Sequence, residues 1–277
     1  MLADAGFDVW LGNSRGNTYS MKHVKYNSTQ EEFWDFSWQE MAELDLPATV
    51  DYILKSTNQP NLTFIGHSQG ACIGLAGFSK NQTLAKQISL FIAMGPVARL
   101  GNVLGLARVI GRIIKSDVDG LFKLFGRKGV FLNGTSNMDI AEDICDTEAT
   151  AQLCSDITKL LYGEGQNDYD WRRIPVYMAH ATSGTSTRNM VHYGQAVVNG
   201  QYQYYDFGSA VANMARYNQT TPPLIDIRQM DVPVALLSGS GDFLADTIDV
   251  KYIMSNIKRS VFNKQYKDWN HVDFVLG

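Results

Sequence analysis

The stretch "LTFIGHSQGACIGLAGF" (62–78) constrains the chain more than any other. A run of β-forming residues stops at Gly66, a serine follows two positions later, and a small-residue helical run starts at Gly70. A strand that feeds straight into a helix belongs to a parallel, helix-covered sheet, because parallel strands need crossover connections. The join must be a sharp turn with Ser68 on it. The flanking glycines Gly66 and Gly70 lack the Cβ atoms that so tight a bend would press together. Ala71, Gly74 and Ala76 are small enough to let the helix lie close to the sheet. Ser68 is then expected at the C-terminal edge of the sheet beside a helix N-terminus. There the amide of Gln69 is free to receive an oxyanion.

The rest of the chain supplies a sheet of this kind. "GFDVWLGNS" (6–14) alternates like a strand, and "ISLFIAMGP" (88–96), "VPVALLSGSGD" (232–242) and "RSVFNKQYKDW" (259–269) read as further strands. "EEFWDFSWQEMAELDLPATVDYILKS" (31–56) is apolar at helical spacing. Pro47, two residues after a plausible N-cap at Asp45, predicts two helical pieces there. Between about 98 and 228 the strand rhythm is lost and helix-like segments alternate with polar loops. The expected architecture is α/β: a parallel sheet built from 1–97 and 229–277, with a mostly helical cap inserted over 98–228.

A serine hydroxyl needs a base within reach before it can act as a nucleophile. Of the five histidines, His67 precedes the serine on the turn and should point away from it, and His23 lies in an early basic loop. His180 and His192 fall in the insertion, where they read as satisfied structural residues. His271 in "DWNHVDF" follows the last strand, where the chain returns to the active edge. The acid should end the strand before it, and "ALLSGSGDFLADTIDV" offers Asp242, Asp246 and Asp249. Asp242 follows the Gly-rich turn directly and is favoured. Asp246 suits a helix cap and is the fallback. The order Ser68, Asp242, His271 is that of α/β hydrolases.

With those three in place, "LADAGFDVWLGNSRGNTYS", "FWDFSWQEMAELDLPATVDYIL", "GHSQG", "SGSGDFLAD" and "NHVDF" together resemble the acid lipase family, which includes gastric and lysosomal acid lipases. The resemblance runs nearly end to end. It implies an α/β-hydrolase fold, the triad Ser68, Asp242 and His271, and hydrolysis of triacylglycerol or cholesteryl esters through an acyl-enzyme without a cofactor or metal. It also implies a cap and lid over the site, matching 98–228, and a cap disulfide between Cys145 and Cys154. Cys72 reads as a small buried hydrophobe. The family carries a signal peptide, further strands and an H-G-L-type oxyanion loop before "LADAGFDVW", and a closing helix after His271. The sequence is therefore read as truncated at both ends, lacking the first strands. Two rival readings are a soluble carboxylesterase with the same triad and a non-catalytic lipid-binding relative. A complete serine, acid and histidine set argues against the second, because a carrier has no chemical use for it.

Composition narrows the partners. A net charge of −4 with 19% charged residues, and no block of like charges, argues against nucleic acid as a ligand. The longest apolar stretch is interrupted by Pro96, Arg99 and Arg108, so no transmembrane segment is expected. A neutral-lipid ester at a lipid–water interface is the expected partner. The first residues lack the basic and apolar regions of a signal peptide. The five N-x-S/T sequons at Asn27, Asn61, Asn81, Asn133 and Asn218 nevertheless point to the secretory route, secreted or lysosomal, for the full-length form.

Overall fold

The computed structural model describes residues 2–130, 156, 158–165, 173, 177 and 183–276. The remaining positions, among them Cys145, Cys154, Asn133 and His180, lie outside the described residues.

Four parallel strands form the central sheet: β1 (Leu62–His67), β2 (Ile88–Met94), β5 (Val234–Gly239) and β6 (Ser260–Tyr266), in the spatial order β1-β2-β5-β6. Helix α3 (Gln69–Lys80) covers β1 and β2. Gly74 permits the close approach, since a Cβ there would lie 2.9 Å from a Phe91 ring atom and 3.0 Å from Phe64. Phe64, Phe78 and Phe91 meet edge-on or tilted at centroid separations of 5.4–5.6 Å, filling the space between helix and sheet. Helix α4 (Gln82–Lys86), capped by Asn81, turns the chain into β2.

Two features differ from the sequence-based expectation. Residues 6–14 form no strand. Phe7 is 64% and Leu11 87% exposed, and no ladder partner meets them among the described residues. Alternation supplies a face, but a strand also needs a neighbour for its N–H and C=O groups. Pro47, in turn, does not split its helix. A short α1 (Trp38–Glu40), a π-turn (Met41–Asp45) and α2 (Leu46–Thr57) run on end to end. The proline has no N–H to give and its ring would press on the preceding turn of a regular helix. The turn widens instead: the Leu46 amide donates to the Met41 carbonyl, five residues back. The helix starts at Ser37, whose capping box with Glu40 closes the first turn. Asp45 makes no cap hydrogen bond. Its carboxylate accepts from the Arg15 amide at 3.0 Å and from Arg15 Nε at 2.8 Å, fastening the 12–20 loop to the π-turn.

The segment 98–228 is mainly helical where described: α5 (Gly105–Ser116), α6 (Val118–Phe125), α7 (Thr187–Asn199) and α8 (Ala210–Tyr217). A two-residue antiparallel pair, β3 (Gly129–Val130) with β4 (Thr185–Ser186), pins α7 in place. Ile114, Val191 and Tyr205 form a small core of their own. Tyr202, Tyr204, Ile225 and Ile227 join the main core beneath. Helix α9 (Thr247–Asn256) follows β5, and the described chain ends in α10 (Asp273–Leu276). No helix among the described residues is long and apolar enough to cross a membrane.

Candidate active site

The turn between β1 and α3 carries backbone strain at Ser68. Its φ of 53° and ψ of −114° lie where non-glycine residues rarely sit, at a cost of about 1–3 kcal/mol. The strain is held from both sides: the Ser68 amide donates to the Met94 carbonyl on β2, and the Ser68 carbonyl accepts from Cys72 inside α3, each at 3.0 Å. Gly66 is required here, because a Cβ would lie 2.6–2.8 Å from the backbone of Gly70 and Ala71. Gly70 is not required by the same crowding. A Cβ there would meet nothing within 4 Å, because the position faces open space. Ser68 Oγ is thereby lifted above the C-terminal edge of the sheet, where β2 and β5 also end.

His271 arrives on the loop after β6. Its Nε2 lies 2.7 Å from Ser68 Oγ, and its Nδ1 lies 2.9 Å and 3.1 Å from the two oxygens of Asp242. A carboxylate can only accept, so Nδ1 carries the proton and Nε2 presents its lone pair to the serine hydroxyl. His271 and Asp242 are buried. Asp242 sits just past β5, and its Oδ1 also accepts from the amides of Leu244 and Ala245 at 2.9 Å and 2.8 Å. Asp246 caps α9 through the Ile248 amide at 2.7 Å, and buried Asp249 accepts two hydrogen bonds from Asn102. Neither of those two carboxylates is hydrogen-bonded to His271. The loop bearing His271 is fixed by an N-x-x-D box. Asn270 Oδ1 accepts from the amides of Val272 and Asp273, and Asp273 Oδ2 accepts from the Asn270 amide at 2.6 Å. Gly95, with φ +48°, leaves room below: a Cβ would lie 3.3 Å from both Asp242 Oδ2 and His271 Nδ1.

The other described histidines are elsewhere occupied. His67 lies under His271, ring centroids 4.8 Å apart, and its Nε2 donates to the His271 carbonyl at 2.8 Å. Burial, and then the neighbouring His271, push its pKa down to about 4. His192 is buried, with Nδ1 on Ser37 Oγ and Nε2 on the Gln203 carbonyl, each at 3.0 Å, and burial lowers its pKa to about 3. Exposed His23 accepts from the amides of Lys25 and Tyr26.

The Gln69 amide is the first of α3 and has no acceptor within that helix. Its side chain points away from Ser68 into a polar knot. Oε1 accepts from Asn189 Nδ2 at 2.7 Å and Tyr193 Oη at 3.1 Å, and Nε2 lies 3.5 Å from Met41 Sδ. These partners stand too far from residue 69 in sequence for any motif to join them. The N-x-x-D pattern around His271 was, by contrast, readable in advance. Cys72 is buried, and burial pushes its thiol up to about 12, so it stays an inert thiol.

A nucleophile, a base and an orienting acid in hydrogen-bonded series beside a free helix-start amide can carry acyl transfer. Comparison with known proteins agrees with that chemistry. A family model described as alpha/beta hydrolase fold matches residues 1–277. The chain is 41% identical to the human lysosomal acid lipase/cholesteryl ester hydrolase, over 100% of this chain and 69% of that one. It is 40% identical to the human gastric triacylglycerol lipase, over 99% and 68%, and 42% identical to the gastric triacylglycerol lipase of Rattus norvegicus, over 99% and 69%. At that identity and coverage, the chain belongs to the acid lipase family, carboxylic ester hydrolases built on the α/β-hydrolase fold.

Proposed function

We propose that Ser68, His271 and Asp242 are the catalytic triad of a lipase that cleaves triacylglycerol or cholesteryl esters, the substrates its relatives are named for. The observation that carries this is His271, which bridges Ser68 Oγ at 2.7 Å and Asp242 Oδ2 at 2.9 Å. His271 Nε2 takes the serine proton as Oγ attacks the ester carbonyl carbon. The carbonyl oxygen becomes an oxyanion and the Gln69 amide donates to it. Collapse breaks the C–O bond, and the departing alcohol takes the proton from His271. A water then repeats the sequence on the acyl-enzyme, releasing the fatty acid and restoring Ser68. Asp242 holds the tautomer throughout and stabilises the imidazolium.

In this reading 98–228 is the cap and turns an apolar face to lipid at the lipid–water interface. Helix α5 supports it: Val109, Ile110 and Ile113 are exposed on a helix that also carries Arg108, Arg112 and Lys115. Leu124 on α6 is exposed beside Lys123. Amphipathic basic helices of this type settle into lipid surfaces. The described sequon residues Asn27, Asn61, Asn81 and Asn218 are all exposed, and with Asn133 they are the proposed glycan acceptors of a secreted or lysosomal protein. Cys145 and Cys154 are the proposed cap disulfide.

Fluorophosphonate labelling tests the nucleophile. The probe should label Ser68, and Ser68→Ala should abolish both labelling and p-nitrophenyl ester turnover while leaving the circular dichroism spectrum unchanged. Labelling that persists on another serine would remove the assignment.

A further inference from the structure

We infer that Asn189 is a positioning residue for acyl transfer: from α7 it holds Gln69, and through Gln69 the amide that receives the oxyanion. The inference rests on the reading of the Gln69 amide given above.

Asn189 is buried and its side-chain amide is fully committed. Oδ1 accepts from the Trp38 amide at 2.7 Å, which fixes the side-chain flip because that N–H can only donate. Both hydrogens of Nδ2 then have targets, Gln69 Oε1 at 2.7 Å and Thr185 Oγ1 at 3.0 Å. Tyr193, one turn along α7, adds its hydroxyl to the same Gln69 oxygen. Two donors from one helix thus converge on one acceptor, on the residue that follows the serine.

The grip matters because of the backbone beside it. Ser68 is held at φ 53° and ψ −114°, and the peptide linking Ser68 to Gln69 is the one that bears the amide in question. A strained residue gains by letting that peptide rotate, which would swing the N–H away from the developing charge. The Ser68 amide and carbonyl are bonded to β2 and α3, but the Gln69 N–H must stay unpaired to be useful. The Ser68 carbonyl of that peptide is already bonded to the Cys72 amide, and the side chain of Gln69 is a second hold that leaves the donor open. Tying Asn189 to the N-terminal start of α1 alone would need only its Oδ1. The bond to Gln69 does something that task does not ask for.

The test uses purified protein, a soluble p-nitrophenyl ester and a boronic acid that adds to the serine as a tetrahedral mimic. Losing an oxyanion donor outright costs about 10²–10³ in kcat, and a misaimed donor should cost less, about ten- to a hundred-fold. Asn189→Ala should therefore lower kcat by that factor, leave KM within about two-fold, and weaken boronic acid binding in proportion to kcat. Gln69→Leu keeps the backbone amide, removes the grip and disturbs neither Trp38 nor Thr185, so it should give the same pattern. The double variant should lose no more than either single variant. Wild-type kcat in Gln69→Leu, or full additivity in the double variant, would overturn the inference even if Asn189→Ala fails to fold. If Ser68→Ala keeps its activity, the underlying triad reading fails instead. A dead Ser68→Ala beside a fully active Gln69→Leu sinks only the role of Asn189.

Discussion

Asp242 and Asp246 stand four residues apart, and their oxygens have different partners. Asp242 is buried and faces His271 Nδ1, while Asp246 spends its carboxylate on the Ile248 amide at the start of α9. Asp242→Asn should cost about 10⁴ in kcat, because the amide can present an N–H to Nδ1 and favour the wrong tautomer. Its thermal midpoint should move little. Asp246→Ala should lower the midpoint, by about 1 kcal/mol of lost capping, and keep most of the turnover. Measuring kcat and thermal midpoint for both variants side by side checks the pair, and the reverse pattern would transfer the acid to Asp246. At this scale the residues of the candidate site were legible in the sequence where chemistry is written locally. Gly66 and Ser68 share one turn, Asp242 closes a strand, and His271 follows one. Asn189 and Tyr193 were not legible. They lie more than a hundred residues from Gln69, on a helix whose pattern advertises only burial, and only the folded chain brings them to it.

Helices and strands were legible to the extent that local rules decided them. The runs that became β1, β2, β5 and β6 announce strands, and small residues mark α3 as a helix pressed on a sheet. Residues 6–14 show the limit, since their alternation is real but pairing is not a local property. Pro47 shows another: a π-turn absorbs it, and the sequence does not say whether a helix will widen or break. The mainly helical segment 98–228 supplies the prediction at this scale. Ile113, 61% exposed on α5, sits one turn beyond exposed Val109 and Ile110, on a face that the lipid reading turns toward the interface. Ile113→Glu places a charge where the helix would enter the surface. The ratio of emulsion to soluble-ester turnover should fall several-fold. Equal loss on both substrates would mean that α5 supports the fold and not the interface.

For the molecule as a whole, buried His192 and half-buried His67 make stability respond to acid. His192 donates through Nε2 to a carbonyl that can only accept, and burial, which lowers its pKa to about 3, keeps the ring neutral. His67 donates its Nε2–H to the His271 carbonyl and is also neutral, its charged form disfavoured by burial and by the His271 ring beside it. Both folded pKa values, about 3 for His192 and about 4 for His67, lie below the 6.5 of a free histidine. The unfolded chain therefore binds more protons than the folded one as pH falls below about 6.5. Unfolding free energy should be insensitive to these rings above that pH. It should decline steadily below it, until pH passes the folded values. Urea midpoints read between pH 7.5 and 5 should show the decline. The same series on His192→Gln, which offers an acceptor and a donor but no titrating ring, should show a shallower slope. An unchanged slope would mean that His192 does not take up its proton on unfolding in this range. A neutral His67 also matters to the candidate site, because a second charge beside His271 would oppose the imidazolium of the proposed acyl transfer. The burial that makes the fold acid-sensitive is thus the same burial that keeps a competing charge away from the proposed base.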